Sequence, residues 1–285
     1  MLGRITVALF FLLLVWGNLV AGLKAGLACP DWPLCHDRVI PPFRPDVWME
    51  FGHRLIAAVA GLFLLILSWK RFAAYQGAAK AVPLVAVGIL AAEVLLGGAV
   101  VLLELPVQLT TVHFMTGLAI FLLACYMAVF DGRATPAGFS LRGHAGLFFG
   151  MGLVLFFQSA LGAYVRHAGA GLACPDFPTC GGSWFPVITG GALLSHFSHR
   201  LAALLIFLTI GVICAACFID AAMARHRRAV LALLLLAAVQ IALGAFVVLS
   251  GLSFAAAALH LATALCMLLV LFRLWAAEIR QEEAP

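Results

Sequence analysis

Charge is what this 285-residue chain has least of: Asp, Glu, Lys and Arg together make up 10% of it, against 65% hydrophobic residues. Soluble globular domains carry about 25% charged residues. That shortage, with a mean hydropathy of +1.13, excludes the soluble class. Zinc-type spacing is also missing, because no two histidines stand four apart on a helix with a carboxylate as third ligand. His196 and His199, three apart, are the one pair worth testing for a metal other than haem iron. No apolar stretch has the paired glycine-proline break of a transporter's binding helices, and the polar residues cluster toward one end rather than the midplane.

What remains is a polytopic membrane protein. A hydrocarbon core about 30 Å thick takes roughly 20 apolar residues per helix. Eight such stretches are present, at 5–23, 51–70, 81–103, 107–130, 144–166, 193–219, 229–250 and 254–277. Arg4 ahead of an apolar run ending Leu19-Val20-Ala21-Gly22 has the outline of a cleaved signal peptide. Removing it would leave seven helices and break the match between halves, so it counts as the first span. Basic residues set orientation. With the N-terminus cytoplasmic, eleven fall inside (Arg4, Lys70, Arg71, Lys80, Arg133, Arg142, Arg225, Arg227, Arg228, Arg273 and Arg280) and six outside. The net charge of +5 then reflects inner loops that hold topology, and no nucleic-acid partner is implied.

The chain is also a duplication. GLACPDWPLC at Gly26–Cys35 returns as GLACPDFPTC at Gly171–Cys180, 145 residues later. His53-Arg54 falls on His199-Arg200 at an offset of 146, and Leu96-Gly97 and His113 fall on Leu243-Gly244 and His260 at 147. So small a drift argues for common descent of the halves. Four helices per repeat give two four-helix bundles, 1–140 and 141–285, in the same membrane sense. The expected relation is a pseudo-twofold axis along the membrane normal.

Each half carries a cysteine-pair loop and two histidines near the outer ends of its second and fourth helices. Ionisable residues inside membrane spans are costly and usually functional. Histidines from two facing helices of a bundle suit axial ligation of haem iron. Arg54 and Arg200 either pair with haem propionates or snorkel to the interface. Glu50 precedes His53 by one turn where the second half has His196. It either caps its helix or does chemistry, and this sharpest difference between halves suggests one substrate haem and one cofactor haem. Glu93, matched by Gln240, reads as an interhelical hydrogen bond without a catalytic role. The loop cysteines, with five residues between them, are not a thioredoxin-like Cys-x-x-Cys. An oxidising outer compartment favours disulfides over the alternative of one four-thiolate metal site. Cys125, Cys214, Cys217 and Cys266 read as packing residues.

With the GLACPDWPLCHD loop, Glu50-Phe51-Gly52-His53-Arg54, Thr111-Val112-His113, the second cysteine loop, His199-Arg200 and His260 together, nearly the whole chain resembles the haem A synthase family. The resemblance implies oxidation of a haem O methyl to a formyl group by successive hydroxylations, giving haem A for cytochrome oxidase. It implies His53 and His113 as ligands of the substrate haem in 1–140, His199 and His260 as ligands of haem b in 141–285, and Glu50 as the catalytic carboxylate. Cys29–Cys35 and Cys174–Cys180 are the expected disulfides. A basic residue eight before the loop cysteine is common in the family; Arg166 fits it before Cys174, whereas Ala21 stands in the first half and Lys24 is the substitute. Arg54, Arg200, Arg166 and Lys24 are thus the propionate contacts to test. The implied setting is a multi-pass protein of the cell (inner or plasma) membrane, both termini cytoplasmic and the cysteine loops outside. Its partners would be haem O, the haem O synthase that supplies it, an electron donor and membrane lipid, with a homo-oligomer left open. The rival is a quinol-linked di-haem b-type electron carrier; such carriers place two ligands on one helix, whereas here four helices supply one each.

Overall fold

The computed structural model of the chain describes residues 1–132 and 135–282; Arg133, counted above among the inner basic residues, lies outside the described residues. Among the described residues there are eight long helices: α1 (Leu2–Gly22), α2 (Pro45–Ala74), α3 (Ala81–Leu102), α4 (Val107–Val129), α5 (Gly143–His167), α6 (Gly191–Ile219), α7 (Arg227–Leu249) and α8 (Phe254–Glu282). Three short 3-10 turns join them, and no strand is present among the described residues. All eight helices are long and apolar enough to cross a membrane. This is the only geometry, besides a closed barrel, in which each backbone N–H and C=O is satisfied without water.

The largest boundary difference is at α2, which starts six residues before the apolar stretch expected at 51. Pro45 occupies its first turn with Asp46 beside it, a pre-set φ and a negative charge that both favour a helix start. Arg44 is the N-cap residue. Glu50 therefore lies more than one turn inside the helix and does not cap it.

Packing divides the chain into two units, Met1–Phe139 and Ser140–Pro285. In the first, α1 packs on α2 and α4, and α3 packs on the same two, so the helices close a ring with α2 and α4 across its diagonal. In the second, α5, α6, α7 and α8 close the same ring, with α6 and α8 on the diagonal. Small residues permit the closest approach, as expected where helices meet in lipid: a methyl group at Gly3 of α1 would lie 2.7 Å from the Ala128 Cα of α4. At the end of each bundle away from the loops, side chains take up terminal carbonyls that lack helical partners. Arg71 donates to Met127 O (2.6 Å) and Asp131 O (3.2 Å), and the Tyr75 hydroxyl to Phe130 O (2.5 Å). Arg227 donates to Cys217 O (2.6 Å) in the second unit.

At the other end each bundle carries its cysteine loop, closed by a Cys29–Cys35 or a Cys174–Cys180 disulfide. The four sulfurs are thus paired within their own loops, which removes the four-thiolate alternative. One aspartate organises each loop. Asp31 accepts from the backbone of His36 (2.6 Å) and Asp37 (2.8 Å), and Asp176 from Gly181 (2.6 Å) and Gly182 (2.8 Å). These turn residues have positive φ in both units. Glycine accepts that conformation freely, whereas His36 and Asp37 are held in it, His36 by a 2.9 Å bond from its ring to Ala28 O.

The Thr179 hydroxyl, followed by the Gly182 and Gly181 amides, holds the Asp176 carboxyl at about 2, down from 3.8. For Asp31, desolvation acts upward, yet the amide bonds from Asp37 and His36 leave its carboxyl lowered too. A depressed carboxylate pKa contributes stability above the unfolded value that is lost as pH falls through the folded one. Protection of the Gly181 and Gly182 amides against hydrogen exchange is therefore expected to be flat from neutral pH down to about 4, and to fall between about 4 and 2. Asp176→Ala should abolish that protection at every pH; unchanged protection in this variant would remove the aspartate from its organising role.

Candidate functional site

The four histidines singled out by the repeat each stand against a glycine of the preceding helix. A methyl group at Gly17 would come 2.9 Å from His53 Cε1, at Gly97 3.2 Å from His113 Cε1, at Gly162 2.8 Å from His199 Cε1 and at Gly244 3.1 Å from His260 Cε1. Each imidazole fills the space a side chain would need. Glycine lowers helix stability by about 1 kcal/mol relative to alanine, so four such positions in apolar helices indicate a packing demand. The sequence comparison aligned Gly97 with Gly244 but assigned them nothing, and it passed over Gly17 and Gly162. Their signal was legible, since the two glycines are 145 residues apart like the loop cysteines.

His53 and His113 come from diagonal helices and lie near enough to act on each other electrostatically, as do His199 and His260. The Nδ1 atoms of His53, His113 and His260 are buried without a hydrogen bond. His113 Nδ1 is 3.1 Å from Glu93 Oε1 but out of line for one. His199 differs: Gln158 Nε2 stands 3.0 Å from its Nδ1 and donates to its carbonyl at 2.8 Å. Polar nitrogens left buried and unpartnered are costly. Two buried imidazoles on diagonal helices, within electrostatic reach of each other, suit axial ligation of a planar metal macrocycle between helices. The residues therefore fit a haem in each bundle.

Arg54 and Arg200 are neither free nor snorkelling. Arg54 Nη1 donates to Asp31 O (2.8 Å) and Leu34 O (2.7 Å), and its Nη2 to Cys29 O (3.0 Å). Arg200 repeats the clamp at the matched carbonyls, Asp176 (2.7 Å), Thr179 (2.8 Å) and Cys174 (2.7 Å). Each guanidinium fixes a loop to the helix that carries a histidine.

Glu50 and His196 complete the two clamps differently. Glu50, 4% exposed, accepts from Arg54 Nη2 at 2.6 Å and from Cys29 N at 2.8 Å. Arg200 Nε donates to His196 Nε2 (3.2 Å), and His196 Nδ1 lies 3.0 Å from Ala170 O and 3.3 Å from the Cys174 amide nitrogen. His196 and His199 thus have separate partners and do not converge on one metal. The first clamp buries an acid beside the bundle mouth, and the second a neutral ring. Lys24 stands exposed just past α1, and Arg166 lies in the last turn of α5. Both are at the loop ends of their bundles.

The COX15-CtaA family, described as a cytochrome oxidase assembly protein, matches residues 1–272. The chain is similar to a heme A synthase of Halalkalibacterium halodurans (30% identity over 74% of this chain and 74% of that protein) and to one of Symbiobacterium thermophilum (32% over 70% and 68%). A heme A synthase of Geobacillus kaustophilus is 30% identical over 98% of this chain and 91% of its own.

The glycine cradles are directly testable. Gly162→Ala and Gly17→Ala force the imidazole to move, and overpacking of about 1–3 kcal/mol corresponds to haem retention weaker by roughly tenfold. Gly88→Ala and Gly150→Ala, where a methyl meets nothing within 4 Å, should keep full haem content. The ratio of Soret absorbance to protein in purified variants reads the difference; equal ratios in all four would show that the glycines do not serve the histidines.

Proposed function

The chain belongs to the COX15-CtaA family of cytochrome oxidase assembly proteins, and we propose that it acts as a haem A synthase, the activity for which its relatives are named. The observation that carries this reading is a matched pair of glycine-cradled histidine sites, of which only the first has an acid, Glu50, in its loop clamp. A pure electron carrier has no use for that asymmetry, and the relatives lend the di-haem carrier no support.

In this reading the first unit is the substrate half, with haem O held by His53 and His113. The second is the cofactor half, with haem b held by His199 and His260. Haem b, when bound, supplies one-electron chemistry. The reaction converts a porphyrin methyl to a formyl group: in each of two successive hydroxylations dioxygen is the oxidant, one of its oxygen atoms entering a C–H bond and the other leaving as water with two electrons and two protons, and loss of water from the resulting geminal diol leaves the aldehyde. The electrons for each hydroxylation come from a separate donor, and haem O from a haem O synthase.

The protein's own contribution is position and charge. Gly17 and Gly97 leave room for the rings of His53 and His113, and the diagonal helices hold them facing. Glu50 is fixed by Arg54 and the Cys29 amide one turn from His53, which aims its carboxylate rather than leaving it to sample rotamers. There it accepts a proton from, or stabilises positive charge developing at, the methyl carbon under oxidation. Lys24, Arg54, Arg166 and Arg200 gather at the loop ends and supply the positive charge that propionates require; Arg54 and Arg200 do so while also holding their loops. The excess of basic residues at the opposite ends supports cytoplasmic termini and loops on the outer side.

Glu50→Gln keeps the shape of the clamp and removes the charge. Haem A formation in cells that depend on this protein should drop by at least about 100-fold, the low end for a lost acid-base group, while bound haem stays at its normal level. Extraction and chromatography of total haem measure the product. Normal haem A output from a haem-replete Glu50→Gln protein would exclude the assigned role.

A further inference from the structure

Glu93 of α3 and Gln240 of α7 are one repeat offset apart, 147 residues, and their surroundings differ at three matched positions. In the first unit Glu93 Oε1 lies 3.1 Å from His113 Nδ1. Its Oε2 accepts from the Thr116 hydroxyl, which also reaches Val112 O and His113 O at 3.0 Å each. Next to it is Gly117, where a methyl group would sit 2.9 Å from Glu93 Oε1. Glycine there opens the niche that admits the carboxylate.

In the second unit the niche is dismantled. Thr263 takes the place of Thr116 and bonds to its own helix at Leu259 O (2.9 Å). Ala264 takes the place of Gly117, so the methyl is present. Gln240 Oε1 is buried without a partner, as is His260 Nδ1. An acid serving only to join α3 to α4 needs Thr116 alone. This one reaches the ring nitrogen of a ligand candidate as well.

We propose that Glu93 is a positioning residue for His113, its carboxylate receiving the Nδ1 proton and making this imidazole a more electron-donating axial ligand than His260. The proposal rests on the haem-binding reading given above. A metal-bound histidine commonly donates its second N–H to a carboxylate, which fixes the tautomer and ring orientation and raises ligand basicity. Hydrogen bonding around the axial ligand is one of the means by which a protein tunes haem. The 3.1 Å separation already lies within the range of an N–H···O hydrogen bond and lacks only alignment. The two bundles then share a frame but differ in how strongly they favour oxidised iron: more in the first, where the carboxylate stands, and less in the second, where the neutral Gln240 takes its position.

The test is a spectroelectrochemical titration of the full-length protein loaded with haem in both units. Glu93→Gln, which copies the second unit, should shift the first-unit haem toward its reduced form by roughly tenfold, about 59 mV for a one-electron couple, and leave the other haem in place. The reciprocal Gln240→Glu with Ala264→Gly should move the second-unit haem the opposite way. Gly117→Ala, which displaces the carboxylate without removing it, should give a smaller shift in the direction of Glu93→Gln, and it decides the matter if Glu93→Gln loses haem. Bound haem whose potential is unmoved by Glu93→Gln, or by Gly117→Ala where that variant decides, overturns the role of Glu93 and leaves the haem reading intact. A wild-type first unit that takes up no haem overturns the haem reading itself.

Discussion

One guanidinium per unit holds the loop end of each bundle together. Arg54 and Arg200 each reach three backbone carbonyls of a disulfide loop, and each sits directly after a ligand candidate on its helix. A non-helical loop at the edge of an apolar phase leaves carbonyls that water satisfies poorly, and a planar five-donor fork is suited to collecting them. The disulfide closes the loop, Asp31 or Asp176 shapes its turn, and the arginine anchors the result over the histidine. Without that anchor, Glu50 would have neither of its two partners.

The duplication supplies a frame, and a few substitutions within it differentiate the halves. Glu50 in the first clamp corresponds to His196 in the second, and Glu93 beside the first fourth-helix histidine corresponds to Gln240. Leu13 corresponds to Gln158, whose amide braces His199 in the second unit. At two of these three matched positions an acid stands in the first unit and a neutral amide or ring in the second. That division fits a half in which bonds are changed and a half in which electrons are handled, the assignment proposed here.

Much of the fold was legible because membranes impose a coarse rule. Eight apolar stretches give eight spans, and polar residues at repeat-matched positions inside them stand out against the background. The start of α2 was missed because Pro45 and Asp46 are helix-starting residues outside the apolar run, and hydropathy alone does not register them. The loop clamp made by the arginines was not legible for a related reason. Sequence spacing shows that Arg54 lies one turn from Glu50, but the loop carbonyls it binds are about twenty residues away along the chain, and only folding brings them within reach.

The sequence by itself determined the class, the number of spans, the repeat and the four histidines, since each follows from local composition or from comparing the halves. Tertiary structure decided what those residues face. It set His53 against Gly17 and His199 against Gly162, turned Glu50 from a helix cap into the partner of Arg54 and Cys29, and brought Glu93 to His113. Hydropathy acts residue by residue and can be read along a line. A hydrogen bond requires two groups within about 3 Å, and that proximity exists only once four helices have closed into a ring.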